Sequence, residues 1–280
     1  MATRKVNHNH QKKIALINDY SGFGRCSVAV ELPIISKMKI QCCPLPTSIL
    51  SNHTGFESFF FEDFTSRMQA YMDEWKKLDL QFTGICTGFL GSHLQIKVVD
   101  GFLKTFKKKD TIVVIDPVMG DYGKMYPTYT LKTCEEMRKL VHYADILTPN
   151  LTEASILTEV PYKEDSTNAE LYEIASKLCK MGPDKIVITG IVRGQYIANY
   201  CYEKGQEPFE IRTMKVGTQR SGTGDIFTAI VVADAVNGVP FKESVKKASH
   251  FVKKCIVKAI EMDIPLTDGV PFEEVLSELK

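Results

Sequence analysis

The sequence contains no apolar run long enough to span a bilayer, and its first residues lack the apolar core of a signal peptide. It also has almost no net charge, because 35 Lys and Arg residues oppose 34 Asp and Glu residues for a formal charge of +1. Proteins that bind nucleic acid or an anionic membrane surface normally carry a basic excess. We therefore expect neither of these partners.

The 8 cysteines include no C-x-x-C pair, and two of them, Cys42 and Cys43, are adjacent. This spacing is typical of neither a zinc site nor a disulfide framework. Reduced thiols in a cytoplasmic protein fit it best, so we expect a cytoplasmic location. The Walker motif G-x-x-x-x-G-K-[ST] is absent as well, which excludes a P-loop kinase.

What the chain does have is a regular alternation of strand and helix patterns over its 280 residues. The predicted strands cover residues 13–18, 40–47, 83–89, 111–115, 145–148 and 185–190. Helical patterns between them predict an α/β fold, with a mostly parallel central sheet and helices on both faces. Residues 196–202 and 209–215 instead predict an antiparallel hairpin at the edge of the sheet, and two further helices are predicted from Phe241 and Phe272.

No internal repeat or linker divides the sequence, which predicts a single domain over residues 1–280. Residues 1–12 are polar and basic, and we expect them to be disordered. Residues 47–61 form a candidate flap. The loop 119–129 holds two glycines and three tyrosines, which makes it a candidate lid.

A glycine-rich turn stands near the end of the chain, where residues 222–225 read Gly-Thr-Gly-Asp and open an apolar helical pattern that closes at Gly238. Such a turn leaves backbone N–H groups free to bind an anion such as phosphate. Asp225 has two interpretations at this point: a helix N-cap, or a general base beside the anion hole. The four residues alone leave both open.

The turn after the first predicted strand resembles the dinucleotide fingerprint, but Ser27 occupies the position of its third glycine, which weighs against a nicotinamide cofactor. Asp19 and Ser21 are instead placed to hold a polar ligand.

Five polar residues lie at or just beyond the carboxyl ends of predicted strands: Asp19, Asp116, Asn150, Glu153 and Asp225. Ligands bind at that edge of an open α/β sheet. Taken singly, each residue also has an ordinary structural interpretation, such as a helix N-cap for Asn150 and Asp225 and a turn residue for Asp116. The oxygens of Asn150 and Glu153, three residues apart, suit a hydrated Mg²⁺ ion. The residues alone therefore indicate phosphoryl transfer to a small polar substrate.

Three motifs, at residues 116–121, 148–153 and 222–225, resemble those of the ribokinase superfamily. Residues 51–56, which read Ser-Asn-His-Thr-Gly-Phe, are similar to the vitamin B6 branch, the bacterial pyridoxal (pyridoxamine) kinases. The likeness covers nearly the whole chain and implies a ribokinase-like three-layer sandwich.

The resemblance implies that Asp225 is the base that acts on the 5′-hydroxyl of a B6 vitamer, with Gly222 and Gly224 forming the anion hole for the phosphoryl group of ATP. It implies nucleotide contacts from Asp116, Thr148, Asn150, Glu153, Thr189 and Thr223, with Asn150 and Glu153 organising Mg²⁺ through water. It implies substrate contacts from Asp19, Ser21, His53, Thr54, Phe89, Asp121, Tyr126 and Asp225. A homodimer is expected, and K⁺ is a second expected cofactor.

One departure concerns the first strand. Many pyridoxal kinases have a serine there, whereas residues 18–22 read Asn-Asp-Tyr-Ser-Gly and are closer to the hydroxymethylpyrimidine kinases of thiamine synthesis. Those enzymes commonly carry a cysteine at the position of Asp225, which favours the B6 interpretation. A non-catalytic ligand sensor is the third alternative. We predict that Asp19 accepts a hydrogen bond from an amino group on the substrate ring, the alternative being a turn aspartate.

Overall fold

The computed structural model describes residues 6–126 and 129–279. The strands are β1 (Lys13–Ser21), β2 (Gln41–Leu50), β3 (Phe61–Asp63), β4 (Gly84–Thr87), β5 (Ile112–Ile115), β6 (Gly120–Asp121), β7 (Lys124–Met125), β8 (Ile146–Leu147), β9 (Lys185–Arg193), β10 (Tyr196–Glu203) and β11 (Phe209–Met214). The helices are α1 (Val28–Lys37), α2 (Thr65–Lys77), α3 (His93–Phe106), α4 (Leu131–Val141), α5 (Leu151–Thr158), α6 (Asn168–Met181), α7 (Thr223–Asn237) and α8 (Phe241–Glu261).

Nine strands form one sheet in the order β11-β10-β9-β8-β5-β4-β1-β2-β3. The strands from β9 to β2 in that order are parallel to one another. β10 and β11 add an antiparallel hairpin at one edge, and β3 runs antiparallel to β2 at the other. The predicted mostly parallel sheet with an antiparallel edge hairpin is confirmed.

Side chains that alternate along the strands build two cores, one on each face of the sheet. Ala15 and Ile17 of β1 pack with apolar residues from α2 to α6. Ile14 and Leu16 point to the opposite face, where they pack with α1, α7 and α8. Because both faces are covered, the strands are apolar on both sides, as parallel sheets require. The predicted three-layer sandwich is confirmed.

The neighbouring strands β1 and β2 extend further than their sequence patterns indicate. After a register shift, Tyr20 pairs with Ile49 and Ser21 pairs with Leu50, so β1 and β2 continue together past their apolar segments. As a result, five of the fifteen residues in the segment 47–61 belong to the sheet, since residues 47–50 complete β2 and Phe61 begins β3. Residues 51–60 form the loop between them.

The predicted helix from Phe272 is wrong, because that segment consists of 3-10 turns, at Phe272–Glu274 and Leu276–Glu278, after an earlier one at Leu266–Asp268. Pro271 is not the cause, since Pro240 stands in the same place before α8; the turn ends at Val275, whose φ of −109° departs from the helical value.

Part of the segment predicted to be disordered contacts the folded chain. The Asn9 side chain donates to the Asp79 carbonyl and accepts from the Gln81 N–H, both at 2.9 Å, and Lys12 Nζ donates to the Val236 carbonyl at 3.0 Å. Residues 1–5 lie outside the described residues. Within the described ranges, no helix combines the length and the apolar character needed to cross a membrane.

Candidate active site

The glycine turn meets the loop after β1 at the carboxyl edge of the sheet. Gly222 is the N-cap residue of α7 and has φ +79°. A Cβ atom at this position would lie 2.0 Å from the carbonyl oxygen of Arg25, so only glycine permits the approach. The first N–H groups of α7 have no partner within the helix, and the helix dipole adds positive potential there. The turn is therefore built to hold an anion.

Asp225 lies in the first turn of α7, and because Gly222 occupies the N-cap position, the N-cap interpretation of Asp225 is wrong. Asp225 Oδ2 accepts a hydrogen bond from the Ser27 N–H at 2.8 Å. Its Oδ1 atom accepts from the Asn18 side chain at 3.4 Å. Burial raises the pKa of Asp225 above its ordinary value, although these two hydrogen bonds oppose the shift. A raised pKa strengthens a carboxylate as a proton acceptor.

Asp116 follows β5 and lies beside the glycine turn. A Cβ atom on Gly224 would be 3.9 Å from Asp116 Oδ2, which is van der Waals distance and places Asp116 next to the turn. The same Oδ2 atom accepts from Thr228 Oγ1 at 3.2 Å, and Thr228 Oγ1 is 3.1 Å from Thr148 Oγ1. Burial and the charge of Asp225 raise the pKa of Asp116. The expected nucleotide residue Thr148 is thus buried and bonded within the fold.

Asn150 and Glu153 form a capping box at the start of α5, which confirms the N-cap interpretation of Asn150. Glu153 Oε2 accepts from the Asn150 N–H at 2.8 Å, and Glu153 Oε1 accepts from the Met119 N–H at 3.2 Å. Asn150 Nδ2 donates to the Gly120 carbonyl at 2.8 Å. The pair therefore ties α5 to the loop that leads into the β6–β7 hairpin. Burial, followed by repulsion from Asp116, raises the pKa of Glu153.

The carboxyl groups at this edge suit a divalent cation. Asp116, Glu153 and Asp225 bring their negative charges together, and their repulsion contributes to the raised pKa of Asp116 and Glu153. A bound cation would relieve that repulsion. In the part of the chain that the structure describes, no group of three or more His, Cys, Asp or Glu side chains is arranged to hold a metal ion. The residues fit a hydrated Mg²⁺, which keeps several waters and uses phosphate oxygens as ligands.

The remaining expected nucleotide residues lie near this edge. Thr189 on β9 forms a parallel bridge with Asn150, and its hydroxyl is 3.4 Å from the Pro149 carbonyl. Thr223 Oγ1 donates to the Arg220 carbonyl at 3.1 Å, within the turn that precedes α7.

The predicted lid contains the β6–β7 hairpin, which contacts two other parts of the site. Asp121 Oδ2 accepts from Gln219 Nε2 at 2.7 Å, and the Tyr122 hydroxyl also bonds to Gln219. The Gly123 N–H donates to Thr152 Oγ1 at 2.8 Å. Tyr126 is the last described residue before a gap of two, and residues 127 and 128 of the predicted lid lie outside the described residues. The hairpin connects α5 with the turn before α7.

The loop 51–60 brings an aromatic group over the loop after β1. His53 Nδ1 accepts from the Gly55 N–H at 3.0 Å, so His53 Nε2 carries the proton and donates to the Thr267 carbonyl at 2.7 Å. The His53 ring packs on Phe56 with 4.8 Å between centroids. Thr54 is exposed. This loop is thus held to the C-terminal turns, close to the glycine turn.

Asp19 and Ser21 are buried together at the end of β1. Only 6% of Asp19 is exposed. Its Oδ1 atom accepts from Ser27 Oγ at 2.6 Å and its Oδ2 atom accepts from Ser21 Oγ at 3.0 Å. Burial raises the pKa of Asp19 to about 6. The structure thus shows serine partners for both oxygens, and the contact with a substrate ring stays a prediction.

Sequence reasoning missed Asn18, Ser27, Glu31 and Thr228, which hold the expected site residues in place. The Asn18 amide lies between Asp225 and Phe89, since Asn18 Oδ1 accepts from the Phe89 N–H at 2.8 Å. One signal was available for Glu31, because a carboxyl group inside an otherwise apolar helix pattern needs a buried partner.

Comparison with known proteins places this geometry in a family. Residues 35–266 match the phosphomethylpyrimidine kinase family. A pyridoxal kinase from Arabidopsis thaliana is 32% identical over 202 residues, which cover 68% of this chain and 63% of that enzyme. A hydroxymethylpyrimidine/phosphomethylpyrimidine kinase from Haemophilus influenzae is 27% identical over 68% of this chain and 70% of its own length.

Solved structures match nearly the whole chain. A Bacteroides thetaiotaomicron protein provisionally named phosphomethylpyrimidine kinase, crystallised with pyridoxal, is 38% identical with a TM-score of 0.93, and the match covers 96% of each chain. The resemblance to the ribokinase superfamily is confirmed, and the chain belongs to the phosphomethylpyrimidine kinase family.

Proposed function

We propose that this protein transfers the γ-phosphoryl group of ATP to the 5′-hydroxyl of pyridoxal, pyridoxamine or pyridoxine. The observation that carries the proposal is the position of Asp225. Its carboxylate lies in the first turn of α7, beside the unpaired N–H groups of the glycine turn, and hydrogen bonds from Ser27 and Asn18 hold it there. A proton acceptor next to an anion hole is the arrangement that phosphoryl transfer to a hydroxyl needs.

The reaction follows from this geometry. Asp225 accepts the proton of the 5′-hydroxyl as the hydroxyl oxygen bonds to the γ-phosphorus, and the bond from that phosphorus to the β-phosphate oxygen breaks to release ADP. The N–H groups of Gly222 to Gly224 stabilise the charge on the moving phosphoryl group. Asn150 and Glu153 would hold Mg²⁺ through water, and the ion would supply positive charge to the ATP phosphates.

Two findings support a B6 vitamer as the substrate. The Bacteroides relative, at 38% identity, was crystallised with pyridoxal. The Arabidopsis relative, at 32% identity, is a pyridoxal kinase. The second candidate function is phosphorylation of hydroxymethylpyrimidine, which the family description and the Haemophilus relative favour. The aspartate at position 225 favours the B6 reaction, because the resemblance associates a cysteine there with the pyrimidine enzymes.

A substrate panel tests the choice. ADP release is measured with pyridoxal, pyridoxamine, pyridoxine and hydroxymethylpyrimidine, each offered separately with MgATP. We expect a higher kcat/KM for at least one B6 vitamer than for the pyrimidine. A higher value for hydroxymethylpyrimidine would assign the protein to thiamine synthesis, and no ADP release with any of the four would support the sensor alternative.

Further parts of the proposal are a cytoplasmic location, a homodimeric state and a requirement for Mg²⁺ with K⁺ as a second cation. Light scattering in solution tests the homodimer. Titration of each cation under otherwise constant conditions tests the two ion requirements.

A further inference from the structure

Both oxygens of Asp225 are held from the same place, the end of β1 and the loop that follows it. Oδ1 faces the Asn18 amide at 3.4 Å, and Oδ2 faces the Ser27 N–H at 2.8 Å. Each of these two residues also binds a buried carboxyl group. The Asn18 amide donates to Glu31, and the Ser27 hydroxyl donates to Asp19. Neither Glu31 nor Asp19 is more than 6% exposed.

The Asn18 amide has one available orientation. Its Oδ1 atom accepts from the N–H groups of Asp19 at 2.9 Å and Phe89 at 2.8 Å. Its Nδ2 group therefore points the other way, where it donates to Glu31 Oε2 at 2.7 Å as well as to Asp225. A Cβ atom on Gly88 would lie 2.4 Å from Asn18 Nδ2, so the amide packs directly against the backbone of Gly88.

Ser27 holds an unfavourable backbone conformation, with φ +53° and ψ −139°. Non-glycine residues adopt such angles only where the surroundings enforce them. The Ser27 hydroxyl donates to Asp19 Oδ1 at 2.6 Å, and this bond holds the residue in place. The same conformation directs the Ser27 N–H at Asp225. The strained residue is thus the link between Asp19 and the base.

We propose that Glu31 and Asp19 are positioning residues for the base: Glu31 holds the Asn18 amide, Asp19 holds Ser27, and these two donors fix the carboxylate of Asp225. The proposal rests on the proposed function, in which Asp225 accepts the proton. It assigns Asp19 to the support of the base, so the loss of Asp19 lowers kcat equally for every vitamer. A ring contact by Asp19 would instead change the ratio of kcat/KM for pyridoxamine over pyridoxal.

A pair of substitutions at Ser27 tests the strained link. Ser27→Ala removes the hydroxyl and keeps the cost of a positive φ, so the N–H turns away from Asp225. Ser27→Gly also removes the hydroxyl, but glycine adopts these angles freely and the N–H can stay in place. Since displacement of a reacting group by about 1 Å costs about a hundredfold in rate, we expect kcat to fall ten- to a hundredfold in Ser27→Ala. The glycine variant should lose clearly less.

A second pair tests the other support. Glu31→Leu keeps most of the buried volume and removes the acceptor for Asn18, whereas Glu31→Gln keeps a side-chain oxygen that can accept from the same amide. We expect kcat to fall about tenfold in Glu31→Leu and to recover in Glu31→Gln, with KM for pyridoxal and for MgATP unchanged in both. Equal kcat in the two variants, or a change confined to KM, would overturn the role of Glu31.

A double-mutant cycle separates positioning from general stability. If Glu31 and Ser27 act through the base, then Glu31→Leu or Ser27→Ala adds no further loss of kcat once Asp225→Asn is present. Equal fold-losses in both backgrounds would overturn the positioning proposal and leave the proposed function intact. Full kcat in Asp225→Asn alone would overturn both. Urea unfolding of every variant identifies any that lose activity because they do not fold.

Discussion

The close approach of Gly222 to Arg25 predicts a large effect of one added methyl group, and a second glycine of the same helix supplies the control. Gly222 and Gly238 flank α7 with almost the same left-handed φ, +79° and +80°. A left-handed conformation costs alanine about 1–2 kcal/mol at either position. At Gly238 no atom lies within 4 Å of the added Cβ, so Gly238→Ala should cost no more than this and should leave kcat unchanged.

Gly222→Ala carries the same conformational cost and an overlap in addition. Its Cβ atom would lie 2.0 Å from the Arg25 carbonyl oxygen, whereas real Cβ contacts are not shorter than 3.0 Å. The loop must therefore retreat by about 1 Å, which adds about 1–3 kcal/mol as in other overpacked sites. That loop carries Ser27, whose N–H binds Asp225, so kcat should fall about a hundredfold.

The assay for this prediction is kcat with pyridoxal and MgATP, together with the free energy of unfolding in urea, for both alanine variants. The difference between the two variants isolates the overlap, because the backbone cost is common to both. Equal stability and equal kcat in Gly222→Ala and Gly238→Ala would refute the contact between the turn and the loop.

Three further outcomes are expected. Glu153→Gln should raise the Mg²⁺ concentration for half-maximal activity about tenfold. Glu170→Gln, in the matching capping box of α6, should leave the Mg²⁺ titration unchanged. A shift of the titration in both variants, or in neither, would make Glu153 purely structural. MgATP should slow protease cleavage within residues 119–129, and equal cleavage without nucleotide would argue against a lid. Because the pKa of Asp19 is raised to about 6, the folded state binds this proton more tightly than the unfolded state does. The free energy of unfolding should therefore fall as the pH rises from about 4 to about 6. Asp19→Asn should flatten that pH dependence, measured by urea unfolding.

The fold was readable from the sequence wherever local patterns and tertiary structure agree. The edge hairpin, predicted at residues 196–202 and 209–215, appears as β10 and β11 within one residue at each end. The end of β1 was not readable, because Asp19 and Ser21 resemble turn residues. They stay in the strand because β2 continues beside them, and such pairing is a property of two segments together.

In the candidate site, too, local motifs were predicted from the sequence and long-range contacts were not. The Gly-Thr-Gly-Asp turn and the N-cap at Asn150 are local motifs, so their positions followed from the sequence around them. Asn18 contacts Asp225 across 207 residues of sequence, and no local pattern connects them. The role of Ser27 depends on a positive φ, which its residue type does not indicate.

The most direct test of the account is Asp225→Asn, measured for both turnover and pyridoxal binding. The amide keeps the shape of the side chain and loses the proton acceptor. We expect kcat to fall about 10²–10⁴-fold, with the Kd for pyridoxal little changed and the protein folded. Near-wild-type kcat in the folded variant would contradict the assignment of Asp225 as the base.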